Sequence, residues 1–251
     1  MKKNLYYIAV LFAALSLNSC AGGRTGPVIY TPKQAATGVC QPIIRHNIYH
    51  IVAPGETLWH LSRTYDVQLQ DIADANWLKS GAQLKSGQRI LIPSAAPARP
   101  VIPLFPSNKW KYIIIHHTAT DIGSALLLDE SHKNRGWAGL GYHFLINNNT
   151  ENKPDGHIES SLRWLRQENG AHCKASGMNE KGIGIAIVGN FSNGYISQKQ
   201  LTTLIYAVNV LKKYYKIPNL NIIGHRDVPG ANTECPGTHF PWQEFISQID
   251  K

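Results

Sequence analysis

The sequence predicts an α/β protein, a mixed central sheet flanked by helices, preceded by a small βααβ unit. Three observations carry that expectation. Short runs rich in β-branched residues, Trp110–Ile115, Tyr142–Asn147, Ile183–Val188 and Asn221–Gly224, alternate with helical stretches in the second half of the chain. That alternation builds a sheet with helices on its faces. Ser197 and Gln200 have the spacing of a capping box, and Leu201, Leu204, Ile205, Val208 and Leu211 lay one apolar stripe along the helix it opens, read as core packing. Upstream, a β-α-α-β order fits within residues 48–93, and the proline-rich stretch SAAPARPVIPLFP divides it from the rest.

Taken in order, Lys2 and Lys3 precede an apolar run from Leu5 to Leu17, which ends in Leu17-Asn18-Ser19-Cys20. A basic start, a short apolar core and small residues leading into a cysteine read as an export signal. The run is too short for a comfortable transmembrane helix. Residues 20–46 are rich in Gly, Pro, Thr and Ala without sustained periodicity and read as a tether. In 47–93, Tyr49–Val52 is a short strand, and Pro54-Gly55-Glu56 turns the chain. Leu58, Leu61 and Tyr65 recur at helical spacing, a second helical stretch carries Leu69, Ile72, Ala73 and Asn76, and Arg89–Pro93 closes as a strand. Residues 94–108 are a linker stiffened by prolines, and 109–251 form the main domain. Its helices are expected at Ser124–Lys133, from Ser197, and at Pro241–Ile249.

The net charge is +9 over 251 residues and stays basic without Lys2 and Lys3. An exported chain meets anionic wall polymers and membrane surfaces rather than nucleic acid, so the charge reads as weak steering toward those.

Three residues stand out as metal donors. His116 closes the Trp110–Ile115 run, His225 follows Asn221–Gly224, and Cys235 lies in the loop beyond. Two imidazoles and one thiolate leave the fourth position of a tetrahedral zinc ion open, as a catalytic site requires. Neighbours on a strand point to opposite faces, so only one of His116 and His117 can reach such an ion.

Several segments carry family resemblances. The Leu17–Cys20 segment resembles a bacterial lipoprotein signal, which implies lipidation of Cys20, cleavage after residue 19 and, with Ala21 next and two membranes present, an outer-membrane anchor facing the periplasm. With Cys20 lipidated and Cys235 on metal, Cys40 and Cys173 remain, either paired or as two spare thiols.

Residues Val52-x-x-Gly55-Glu56-Thr57-Leu58, Asp74-Ala75-Asn76 and Leu84-x-x-Gly87-Gln88-x-Ile90-x-Ile92-Pro93 resemble the LysM family. That resemblance implies binding of N-acetylglucosamine-containing glycan, here peptidoglycan, through Gly55, Glu56, Thr57, Gln83 and Leu84. Glycine and the Thr57 cap could equally serve only the turn and the helix start.

The series His116-His117-Thr118-Ala119, Gly141-Tyr142-His143-Phe144, Gly170-Ala171-His172, Gly182–Phe191, Gly224-His225-Arg226-Asp227 and Thr233–Gly237 resembles the zinc-dependent N-acetylmuramoyl-L-alanine amidases, in the branch shared with peptidoglycan recognition proteins. The resemblance implies one zinc ion on His116, His225 and Cys235. It also implies Tyr142 and Thr233 as catalytic donors to the developing oxyanion, and His172 lining the peptide groove. A related branch uses a glutamate base where this chain has Ala186 and an aspartate ligand where it has Cys235, so the chain does not belong there. The base is left between Tyr142 and the zinc-activated water. Asp227 is either a partner of His225 or a loop residue. Hydrolysis of the bond between N-acetylmuramic acid and L-alanine by a monomer follows as the expected activity. The alternative is a non-catalytic peptidoglycan-binding lipoprotein of the same fold. Such binders typically lack the cysteine, and this chain keeps Cys235 together with Tyr142.

Overall fold

The computed structural model describes residues 28–30, 42–79 and 81–249. The apolar run at 5–17, Cys20 and Cys40 lie outside the described residues, and Cys173 is a free, buried thiol. No helix among the described residues is long and apolar enough to cross a membrane.

The small unit is built as expected. Strand β2 (His46–Ile51) pairs antiparallel with β3 (Arg89–Ala95), and helices α1 (Leu58–Tyr65) and α2 (Leu69–Ala75) lie between them in the chain. Thr57 caps α1 by accepting the His60 amide at 3.2 Å. Asn76 fastens the end of α2 to β3, donating to Leu91 O at 2.7 Å and accepting the Leu91 amide at 2.8 Å. Val52, Leu61, Tyr65, Ile72, Ile90 and Ile92 close a small core of their own.

The main domain holds a five-stranded sheet. Its strands are β5 (Tyr112–His117), β6 (Phe144–Ile146), β7 (Ile158–Ser160), β8 (Gly182–Ile187) and β9 (Ile222–Gly224), in the spatial order β7-β6-β8-β5-β9. All pairings are parallel except β6 with β7, so the sheet is mixed. Alternation sorts its side chains between two faces. Ile113, Ile115, Ile183, Ile185, Ile187, Phe144 and Ile222 face helix α6 (Gln198–Tyr215) and helix α7 (Trp242–Ile249). The Ser197–Gln200 capping box forms, and the helix stripe is core. On the other face, Leu145, Ala186 and Val188 pack in a cluster with Ala125 and Leu128 of α3 (Ala125–Asn134), and Ile114 packs with Met178 of α5 (Met178–Lys181). Helix α4 (Leu162–Leu165) follows β7.

Three features depart from the expected organisation. Strand β1 (Val28–Tyr30), inside the expected tether, pairs antiparallel with β4 (Ile102–Leu104), inside the expected linker. A proline at the centre of β4 argues against a strand in sequence, yet an edge position needs no donor there. Strand β7 is too short, with a glutamate at its centre, to stand out from a loop.

The third departure concerns how the two units meet. Ala53 of the small unit is buried in the cluster beneath α3, and a side chain on Gly55 would strike Leu162 and Leu165, each 2.8 Å from its Cβ position. Between them lies a buried polar network. Lys153, only 2% exposed, donates to Ile51 O at 2.7 Å and pairs with Glu159 at 2.8 Å and, more distantly, with Glu56 at 4.0 Å. Glu56 also accepts from the Ala53 amide at 2.7 Å and pairs with His50 at 2.8 Å. Burial alone would raise both carboxyls. His50 and Lys153 outweigh it at Glu56, and Lys153 and His157 at Glu159, so both stay below the usual carboxylate range.

Candidate metal centre

His116 sits near the carboxyl end of β5 on the face opposite α6, 1% exposed. His225 follows β9 directly and Cys235 comes from the next loop, so parallel pairing of β9 with β5 brings all three together. One ligand atom from each lies within 4.8 Å of the others. Cys235 Sγ stands 3.6 Å from His116 Nδ1, and the His116 and His225 rings are 4.7 Å apart. His117 points the other way, accepting the Phe191 amide at Nδ1 (3.1 Å) beside the Phe191 ring.

Hydrogen bonding sets the His116 tautomer. His172 Nε2 lies 3.2 Å from the Gly182 carbonyl, which can only accept, so Nε2 carries the proton and Nδ1 is left as an acceptor. His116 Nε2, 3.1 Å from that Nδ1, therefore donates to it. The relay leaves the His116 Nδ1 lone pair facing Cys235, which is the form a metal needs. Burial and then the neighbouring histidines hold the His116 imidazole neutral, well below its ordinary range. His172 was expected to line the peptide groove. It is buried with both ring nitrogens engaged, Nδ1 toward His116 and Nε2 toward the Gly182 carbonyl. Its ring packs against Gly184, where a Cβ would come within 2.5 Å of it, so a glycine is needed at that strand position.

The thiol is prepared in the opposite sense. Burial pushes Cys235 up to about 12, and the His117 amide donates to Sγ at 3.4 Å. A cation arriving there would displace the thiol proton, and the amide would then meet a thiolate. The donor set, its convergence and the fixed tautomer fit a zinc ion with three protein ligands.

Tyr142 lies over His116, ring centroids 5.2 Å apart. Burial, then Cys235, raises its phenol above the ordinary tyrosine range, so the hydroxyl keeps its proton. Thr233 is exposed and accepts the Cys235 amide at 3.1 Å, which leaves its own hydroxyl proton free to point outward. Asp227 accepts the Gly224 amide at 3.1 Å and is thus a loop residue.

The expected glycan contacts divide. Thr57 and Gln83 are exposed and Leu84 is partly so. Glu56 is only 6% exposed and enclosed by the polar network, and a Cβ on the partly buried Gly55 would point at α4, so both lie against the main domain. Ligand atoms of Glu56, His157 and Glu159 also lie within 4.8 Å of one another, but the Lys153 ammonium already supplies the positive charge among them.

Fold and site together define a class, an α/β domain with two histidines and a cysteine gathered over one face of a mixed sheet. The N-acetylmuramoyl-L-alanine amidase family model matches residues 106–238, and the LysM domain model matches residues 50–93. The chain belongs to the N-acetylmuramoyl-L-alanine amidase family and carries a LysM domain. It is similar to peptidoglycan-recognition protein SC2 of Drosophila melanogaster, 30% identical over 149 residues, covering 55% of this chain and 74% of that protein. Peptidoglycan-recognition protein 2 of Holotrichia diomphalia is 36% identical over 138 residues, covering 51% and 67%. Among solved structures, the N-acetylmuramoyl-L-alanine amidase LysC from Clostridium intestinale is 35% identical, covering 58% of this chain and 91% of that one, with a TM-score of 0.48.

Proposed function

We propose that this protein hydrolyses the amide between N-acetylmuramic acid and L-alanine in peptidoglycan, with one zinc ion on His116, His225 and Cys235. The observation that carries this reading is the Gly182–His172–His116 relay, which presents an unprotonated Nδ1 to the Cys235 sulfur. When bound, zinc supplies Lewis-acid polarisation of the carbonyl and a water of lowered pKa. The chain's own residues do the rest. Tyr142, kept protonated by burial, donates to the oxygen that gains charge as the carbonyl becomes tetrahedral. Thr233, tied to the Cys235 amide, offers a second donor from the solvent side. His172 holds His116 in one tautomer and one orientation. The LysM unit adds a glycan contact through Thr57, Gln83 and Leu84, which raises the local concentration of wall substrate. The reading includes export and a lipid on Cys20, which the mass of the mature N-terminus would test.

The central test is direct. Zinc-loaded protein incubated with peptidoglycan is expected to release free stem peptides, detected by mass spectrometry, and Cys235→Ser is expected to lose both zinc and release. Intact sacculi under conditions where a control amidase digests them would instead support the non-catalytic binder.

A further inference from the structure

The amino-terminal edge of the parallel strands gathers several lysines. Lys111 and Lys181 precede β5 and β8 and meet through the Lys111 amide and Lys181 carbonyl, 2.8 Å apart. Asn221 donates to Lys111 O at 2.9 Å, which brings the segment after α6 to the same edge. Lys213 lies in the last turn of α6 and Lys216 caps it. Lys111, Lys213 and Lys216 are exposed. Among them stands Leu220, 91% exposed in the short turn before β9. Among the described residues, Glu168 and Glu180 are exposed acidic groups nearby, both felt by Lys109.

The N-terminal segment arrives at this same edge. Val28 pairs with Leu104, and the next residue, Phe105, exchanges backbone hydrogen bonds with the hydroxyl of Tyr215 at the end of α6. From Cys20 to Val28 the chain reaches at most about 28 Å, against roughly 90 Å were it free to His46.

We propose that this lysine edge, with Leu220 at its centre, docks on an anionic phospholipid surface. Clustered lysines hold phosphate headgroups, and one exposed leucine suits the boundary between headgroup and acyl chain. From Lys111 to His116 the strand rises about 16 Å, so docking lifts the metal centre clear of the headgroups. The inference rests on the envelope reading of the chain but not on the lipid itself.

The test uses residues 21–251, which contain every described residue and carry no lipid. This protein is expected to sediment with vesicles of equal parts phosphatidylglycerol and phosphatidylcholine, to stay in solution with phosphatidylcholine alone, and to be released by salt. Neutralising Lys111, Lys213 and Lys216 to glutamine should weaken vesicle binding by about a hundredfold while stem-peptide release from soluble fragments is unchanged. Leu220→Ser, at a position too exposed to affect folding, should weaken it further. No retention on phosphatidylglycerol, or equal retention of the triple variant, would overturn the proposal. So would displacement by soluble polyphosphate at matched charge, which would assign the edge to a linear polyanion. Because no lipid is present, an unmodified Cys20 in the cell would leave this result standing.

Discussion

At the scale of single residues, the site depends on groups that touch no substrate. His172→Phe keeps the ring volume but removes the acceptor of the His116 Nε2 proton. Its zinc affinity, measured by chelator competition, should fall 10- to 100-fold on the order expected for an outer partner. Tyr142→Phe should behave oppositely, retaining zinc while turnover drops by about 10²–10³, the usual loss for one oxyanion donor. These outcomes separate a positioning residue from a catalytic one. The three donors that the sequence singled out, each at a strand end or in a short loop motif, do converge; strand alternation allowed only one of His116 and His117, and the family resemblance picked His116. The role of His172 was not legible in sequence. It depends on a ring resting on Gly184, a contact that no local pattern announces.

At the scale of elements, the polar network joining β2, the β2–α1 turn and the β6–β7 loop is the feature to perturb. Lys153→Met leaves Glu56 and Glu159 buried without their cation, and should destabilise the fold by about 3–5 kcal/mol, measured by denaturant unfolding. The network also sets an acid limit. Burial lowers His157 to about 3, whereas an unfolded histidine titrates near 6.5. Between those values the unfolded chain holds one more proton than the native one, so stability is lost as pH falls from about 6.5. The slope from this residue reaches at most about 1.4 kcal/mol per pH unit. His157→Gln should flatten the melting temperature's decline between neutral and mildly acid pH, and an unchanged decline would remove His157 as its source. None of this was legible beforehand. A lysine in a loop reads as solvated, and only the partner unit, about a hundred residues away in sequence, turns it inward. The periodic elements, by contrast, formed close to where their patterns placed them, since apolar spacing and caps act locally. Strands β1, β4 and β7 escaped because a three-residue strand is defined by what it pairs with.

At the scale of the whole molecule, the LysM unit lies along the β7 side of the sheet, the metal centre on the face opposite α6, and the lysines along the amino edge. Because Ala53 belongs to the cluster beneath α3, the two units should unfold together. Calorimetry on residues 21–251 is expected to give a single transition whose calorimetric and van't Hoff enthalpies agree. Two resolved transitions would mean that the contact contributes little.

Gly55 carries that coupling into a different domain of consequence. Here the turn that opens the unit serves its own fold and its host at once: Gly55 sits at φ 88°, a Cβ there would also meet Leu162 and Leu165, and Glu56 faces Lys153. A transplanted unit should seat best with alanine, glycine and glutamate kept at positions 53, 55 and 56. Residues that look like sugar contacts would then also serve the seam with Leu162, Leu165 and Lys153.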